Sequence, residues 1–305
     1  MKRFKNILVI PEHPAADDPA LVRVAKLAAI SGARVTVMWP LQEDEMEELV
    51  IAEAETKELA SIDDQLSVAV EPLRRHNIPV ETRILTGPSF EDIVVRELQL
   101  EHDHDLVMKV ARAAHQDEQS LFGTTALHLL RRCPCPVWIV EPRRKGGEGN
   151  ILAAVDPAID GDADPLNIMI MELASSLARM EEKELHVVHA WAVAEEQTLR
   201  HSPFLRVSRT EALDYVHTIE ARHRQRLDAL VAGFLDIAPA THVHLVKGPP
   251  ADVITAAARD RNIDVIVMGT HVRTGISRLL MGDTAEAVMA QINCSVLAIK
   301  RPEAT

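Results

Sequence analysis

Asp264-Val-Ile-Val-Met-Gly-Thr-His-Val-Arg-Thr-Gly-Ile-Ser-Arg-Leu-Leu-Met-Gly-Asp-Thr-Ala-Glu286 is the stretch whose reading decides the fold. It opens on Val265–Met268, an apolar run without alternation, as expected of a parallel strand covered on both faces. Gly269 then ends the strand, and a glycine there lets the backbone turn sharply. Gly282-Asp283-Thr284-Ala285-Glu286 opens the next apolar-periodic segment. Asp283, followed three residues later by Glu286, reads as a variant capping box, which starts a helix. A glycine-edged loop running from a strand to a helix N-terminus is the physical recipe for an anion site, because free backbone N–H groups and the helix dipole point the same way.

Working outward, the same unit occurs twice. Asn6-Ile-Leu-Val-Ile-Pro-Glu12 aligns with Asn150-Ile-Leu-Ala-Ala-Val-Asp156, Leu85-Thr-Gly-Pro88 with Val246-Lys-Gly-Pro249, and Asp105 with Asp264. The offsets are 144, 161 and 159 residues. Gly123 matches Gly282 and Cys135 matches Cys294. Two copies make a tandem pair of domains and not a solenoid. The boundaries read as 1–142, a glycine-rich charged linker at 143–149, and 150–305.

Each copy alternates strand and helix. In the first, the expected strands are Ile7–Ile10, Arg34–Trp39, Val80–Leu85, Leu106–Val110 and Val137–Val140. Asp18-Pro19 caps the first helix with proline at its first position, and Ser31-Gly32 stops it. Glu43 to about His76 reads as a long acidic helical segment ending near Asn77-Ile-Pro79. Further helices start at Pro88 or Ser89 and span Thr124–Arg132. In the second copy, Asp164-Pro165 caps the first helix, and Leu185–Trp191, Val243–Val246, Val265–Met268 and Val296–Ile299 are strands. An irregular excursion at Glu195–Phe204 precedes a long helix from about Ser208 to Phe234, and Ala251–Arg261 is helical. Alternating βα units predict an α/β fold with two doubly wound parallel sheets.

Composition narrows the function classes. The chain of 305 residues carries a formal charge of −13, which argues against nucleic acid and against an anionic membrane surface. An acidic surface of this kind keeps a cytosolic protein in solution. Three cysteines do not make a disulfide framework, and Cys133-Pro-Cys135 is too closely spaced for a zinc knuckle. They read as small buried residues in a reducing compartment. The N-terminus runs directly into a strand, with no apolar stretch of signal-peptide or transmembrane length, so the expected location is the cytoplasm.

The loop after Met268 resembles the nucleotide loop of the universal stress protein family, whose pattern is Gly-x2-Gly-x9-Gly-[Ser/Thr]. Gly269 and Gly282 match the first and third glycines; Val272 stands at the second and Asp283 at the Ser/Thr position. His104-Asp-Leu-Val-Met-Lys109 and Leu127-His-Leu-Leu-Arg-Arg-Cys-Pro-Cys-Pro-Val-Trp138 extend the likeness over nearly the whole chain, in the manner of the tandem two-domain type. The resemblance implies strand order 3-2-1-4-5 in each five-stranded sheet, helices on both faces, and an internal pseudo-dimer joined along the fifth strands. The ligand crevice of such a sheet lies at the strand C-termini where the winding reverses, between strands 1 and 4. Ligand contacts are then expected from Asp156, Gly269, Thr270, His271, Arg273, Gly282, Asp283 and Thr284. In the family an aspartate at the place of Asp156 meets the ribose or adenine side; the plainer reading is that Asp156-Pro157 starts a turn.

Both mismatches disfavour ATP or AMP as cofactor. A β-branched Val272 resists close approach of a phosphate and positive φ. Asp283 would face the γ-phosphate, and two unit charges about 4 Å apart repel by roughly 1 kcal/mol in water and about 4 at an intermediate dielectric. Its carboxylate can also take the helix-start N–H bonds that a phosphate would take, although a magnesium ion could bridge the two. In the first copy only Gly123-Thr124 survives, with Val110 and Ala113 in the other glycine places, so that domain reads as a scaffold.

Fourteen histidines raise a metal reading. His186 and His189 point to opposite faces of a strand, whereas His242 and His244 share one, so one of the first pair can approach the second. No His-Glu-x-x-His or Cys/His cluster of metal spacing occurs, and surface or core histidines are the expected state. Gly-x-Ser-x-Gly and Walker-A patterns are also missing, so no catalytic residue is assigned. The expected function is a stress-response module that senses a ligand or binds an unidentified protein partner. The alternatives are an ATP-binding protein with slow ATPase activity, and a carrier of an apolar or nucleotide-sugar ligand, to which Met169, Met171 and Met180 would contribute.

Overall fold

The computed structural model describes residues 4–43, 55–100, 104–111, 122–142, 149–157, 164–193, 209–238, 240–270 and 281–300. The strands are β1 (Asn6–Ile10), β2 (Arg34–Gln42), β3 (Val80–Gly87), β4 (Leu106–Val110), β5 (Val137–Val140), β6 (Asn150–Ala154), β7 (Leu185–Trp191), β8 (Thr241–Lys247), β9 (Ile263–Gly269) and β10 (Ser295–Ile299). The helices are α1 (Pro19–Ser31), α2 (Glu55–Ala69), α3 (Glu71–Arg75), α4 (Phe90–Leu100), α5 (Thr124–Arg132), α6 (Pro165–Glu181), α7 (Arg209–Ala232), α8 (Pro250–Asp260) and α9 (Asp283–Met289).

Local chemistry sets the helix ends. Asp18 accepts from the amides of Ala20 and Leu21, Pro19 opens α1, and Gly32 closes it at φ 65°. Asp164 and Pro165 do the same for α6. Among the described residues, the segment read as one long helix is broken at Val70, and Pro72 stands in the first turn of the helix that follows, α3; residues 44–54 lie outside the described residues. Asn77 turns the chain at φ 55° after α3. The excursion at Glu195–Phe204 and the linker residues 143–148 also lie outside the described residues.

All ten strands form one sheet in the order β3-β2-β1-β4-β5-β10-β9-β6-β7-β8. Each half is parallel and runs 3-2-1-4-5, as the resemblance implied. The halves join where β5 and β10 pair antiparallel, with Trp138 opposite Leu297. That pairing removes two sheet edges that would otherwise invite association. One face of the sheet carries α1, α2, α3, α6 and α7 over Leu27, Val35, Leu173 and Val187; the other carries α4, α5, α8 and α9 over Leu8, Ile93, Val107 and Ile266.

Polar contacts lock the seam. Arg23 of α1 reaches across to Asp264 of β9, Nη2 to Oδ2 2.5 Å, with both side chains buried. The Arg23 guanidinium also lies 5.5 Å from the centre of the Trp138 ring. β9 extends beyond the apolar run Val265–Met268 because Ile263 pairs with Asn150 and Gly269 with Ile299, and Asp264, buried at 1% exposure where the register shifts, meets a cation from the other half. Lys300 donates to the Arg131 carbonyl at 2.8 Å, and the amide of Glu141 donates to Ser295 Oγ at 3.1 Å.

Candidate functional site

The site is built at the C-terminal ends of β6 and β9. Ala154 and Met268 are register partners, so two residues later Asp156 and Thr270 leave neighbouring strands at the same end. The Asp156 amide donates to Asn167 Oδ1 at 2.8 Å, and Asn167 Nδ2 donates back to the Asp156 carbonyl at 3.0 Å. These two bonds, from the first turn of α6, fix the backbone while the Asp156 side chain stays 62% exposed.

Thr270 is different. It is buried, its amide and hydroxyl both point to the Ile299 carbonyl, and its own carbonyl accepts from the Gly282 amide at 3.1 Å. It staples the strand end to the helix start and faces inward. Gly282 is the N-cap of α9 in extended conformation, φ −67° and ψ 144°, with no side-chain capping bond. The amides of Ala285 and Glu286 donate to its carbonyl. The helix thus begins one residue earlier than a capping box at Asp283 would place it. Asp283 is exposed at the first helical position and acts there only through its charge. Thr284 is half-buried beside it. His271, Val272 and Arg273 lie outside the described residues.

Gly269 does end β9, but not for the reason its position suggested. Its φ lies outside the left-handed region, so the turn does not require glycine. A Cβ there would sit 2.7 Å from Leu166 Cδ2 and 3.3 Å from its Cγ. The corresponding pair in the first half is Val110 on β4 and Ala20 in α1, large and small exchanged. Gly269 makes room for Leu166.

The two halves differ at the winding reversal itself. In the first, the buried Lys109 donates to the Val110 carbonyl at 2.9 Å, stands 4.0 Å from Glu12 Oε2 and lies 5.3 Å from the centre of the Phe90 ring. The loop after β1 is tied down because Asp18 Oδ2 accepts from the amides of Glu12 and His13, at 2.9 and 3.3 Å. Burial raises the Asp18 carboxyl above its usual range, against the lowering effect of those amides. In the second half the aligned positions are Met268, Asp156 and Ala251. A lysine, a glutamate and a phenylalanine thus meet at the strand ends of the first half, whereas a methionine, an exposed aspartate and an alanine hold the aligned places in the second. Lys109 was visible in the sequence as a cation within the apolar run Leu106–Val110.

The histidines segregate by face. His186 stacks between His242 and His244, with ring centres 5.0 and 5.3 Å apart. His186 does approach the other pair, but the rings are nearly parallel, and parallel rings do not aim their lone pairs at one point. Burial, then Arg261, push His244 down to about 4. Arg261 Nε donates to His244 Nε2 at 3.2 Å. On the opposite face His189 Nε2 and His223 Nδ1 are 2.8 Å apart. Among the described residues no group of three His, Cys, Asp or Glu side chains could hold a metal ion. Cys133 and Cys294 are buried and Cys135 is half-buried, and burial pushes the Cys133 and Cys135 thiols up to about 12. Among the described residues no helix is long and apolar enough to cross a membrane.

The model of the universal stress protein family matches residues 3–141 and 149–300. The chain is 28% identical over 311 residues to Universal stress protein E of Salmonella typhi, covering 99% of this chain and 96% of the relative. Identity is also 28% to Universal stress protein E of Escherichia coli K12, with 98% and 95% covered. Among solved structures, a functionally unknown protein from Pseudomonas aeruginosa PAO1 shares the fold with a TM-score of 0.76 at 24% identity, covering 98% of this chain and 94% of its own.

Proposed function

The chain belongs to the universal stress protein family, and on that premise we propose that it is a cytoplasmic stress-response module whose second half senses a ligand while the first half serves as a scaffold. One observation carries this reading: Lys109, Glu12 and Phe90 cluster at the strand ends of the first half, whereas the second has an exposed Asp156 at the equivalent point. A strong ATP site is not part of the proposal. Asp283 puts a negative charge at the start of α9, where a phosphate would otherwise find free amides. Val272 adds bulk at a glycine position of the family pattern.

The carrier reading has less support. Met169 and Met171 are buried in the core between α6 and the sheet, and Met180 packs against the same cluster. They belong to the packed interior, and residues 194–208 of the excursion under which such a ligand would sit lie outside the described residues.

Calorimetric titration of ATP with magnesium into the wild-type chain and into Val272→Gly/Asp283→Ser tests the proposal. Weak or undetectable binding by the wild type is expected, with a gain of at least about tenfold in the double variant, since each 1.4 kcal/mol is about tenfold. Micromolar binding by the wild type would favour an ATP-binding protein with slow ATPase activity instead.

A further inference from the structure

His189 is 1% exposed and His223 8% exposed, yet the fold does not need a polar pair in this layer. The repeat supplies the control. Val35 pairs with Ile7 as Leu185 pairs with Ile151, so Trp39 holds the place of His189. Trp39 and Ile62 pack against the apolar core there. The same architecture therefore stands with apolar groups in this layer, and burying polar ones carries a desolvation cost.

The hydrogen bonds fix the protons. His189 Nδ1 lies 3.1 Å from the Val155 carbonyl, which can only accept, so Nδ1 carries a hydrogen. In neutral His189, Nε2 is then an acceptor, and the facing His223 Nδ1 must be the donor. His223 Nε2 is left with a lone pair. One further proton can enter there and can be shared along the Nδ1–H···Nε2 bond. A second cannot, because two N–H groups would then face each other across 2.8 Å.

We propose that His189 and His223 form a one-proton site that controls the charge state beside Asp156. Asp156 Oδ1 lies 3.9 Å from His189 Nδ1, so an added proton creates an imidazolium next to that carboxylate. The carboxylate is drawn toward His189 in acid, and that attraction is lost when the pair gives up its proton. Its bearing on a ligand rests on the reading of Asp156 as a ligand contact; the proton uptake does not.

The surroundings set the balance. From β8, Lys247 Nζ lies 5.4 Å from the Trp191 ring centre, and the His223 ring packs against the same indole at 5.7 Å. On α7, Glu220 and Arg226 lie one turn to either side of His223. The buried face of α6 carries no charged group, with Ile170, Leu173 and Leu177 beside the neutral Asn167 and Ser175. Burial lowers the proton affinity of His223 and Asp156 raises it.

Nitrogen-15 NMR of the histidines in the ligand-free full chain, between pH 8 and 5, tests this. The signals of His189 and His223 should move together with one midpoint and one proton, and the carboxyl carbon of Asp156 should follow the same midpoint. Asp156→Asn should lower that midpoint by roughly one unit, about tenfold in proton affinity. His223→Gln, which keeps a donor to His189 but cannot titrate, should remove the shared step. Separate midpoints, two protons, no titration above pH 5, or an unchanged midpoint in Asp156→Asn would each overturn the proposal. No ligand is added, so the outcome is independent of the ATP titration.

Discussion

Gly269→Ala separates a packing role from a ligand role at one position. The new methyl would lie 2.7 Å from Leu166 Cδ2, 3.3 Å from Cγ and 3.6 Å from Cδ1. Carbon atoms prefer about 3.5–4 Å, so the Leu166 side chain must turn or α6 must shift. Overpacking of this kind costs about 1–3 kcal/mol. For a unit of this size that is roughly 2–12 °C in melting temperature, at about 2–4 °C per kcal/mol. The backbone itself offers no resistance, because φ at Gly269 lies outside the left-handed region. Denaturant unfolding should show a lower midpoint with an unchanged slope. Leu166→Ala removes the obstructing atoms, so in the double variant the alanine at 269 should cost less than about 0.5 kcal/mol, the level at which independent sites simply add. Gly269→Val with Leu166→Ala goes further and rebuilds the Val110 and Ala20 arrangement of the first half. If Gly269→Ala leaves stability unchanged, or costs the same with and without Leu166, the close approach is not the reason for the glycine.

Arg23→Met should destabilise by about 3–5 kcal/mol, because it removes the cation of a buried pair; adding Asp264→Asn should recover much of the loss in thermal unfolding, and a cost below about 1 kcal/mol would count against the latch. Asp18→Ala should cost about 2 kcal/mol or more in denaturant unfolding, the upper end for a lost cap, since four backbone amides lose their acceptor; a neutral result would show that water replaces it. Stability should fall as pH drops from about 6.5 toward 4, because unfolded His244 takes a proton near 6.5 while the folded residue resists until about 4. His244→Gln should flatten that decline in denaturation midpoints measured across the range, and an unchanged slope would assign it to other groups.

Much of the architecture was legible because parallel strands covered on both faces must be apolar runs, and the duplication displayed each run twice. Leu106–Val110, Val137–Val140 and Leu185–Trp191 have the boundaries that the residues suggested. The caps Asp18 and Asp164 were legible for a local reason: cap, proline and amides lie within three residues. What stayed hidden depended on partners distant in sequence. Nothing near Gly269 reveals that Leu166 occupies its Cβ position. Histidine spacing on one strand could bring His186 to His242 and His244, but His223 meets His189 only because α7 packs over β7. Asp264 looked like the flank of a strand until Arg23 of the other half was placed on it.

The latch also bears on why the unlike halves sit in one chain. The position of Arg23 in α1 corresponds to Met169 in α6, and that of Asp264 corresponds to Asp105. Asp105 is already engaged, accepting from the amides of Lys5 and Asn6. Two first halves joined through β5 would therefore set each Arg23 against a carboxylate that already accepts two backbone amides. Two second halves joined through β10 would set Met169 opposite Asp264 and bury that carboxylate with no guanidinium from the other copy. Removing one partner of a buried pair costs about 3–5 kcal/mol, and two second halves would incur that twice, once per copy. The unlike pairing gives Asp264 its cation. Interface chemistry thus favours the arrangement that the covalent linkage enforces, and holds the strand ends marked by Lys109 and by Asp156 in a fixed relation within a single sheet.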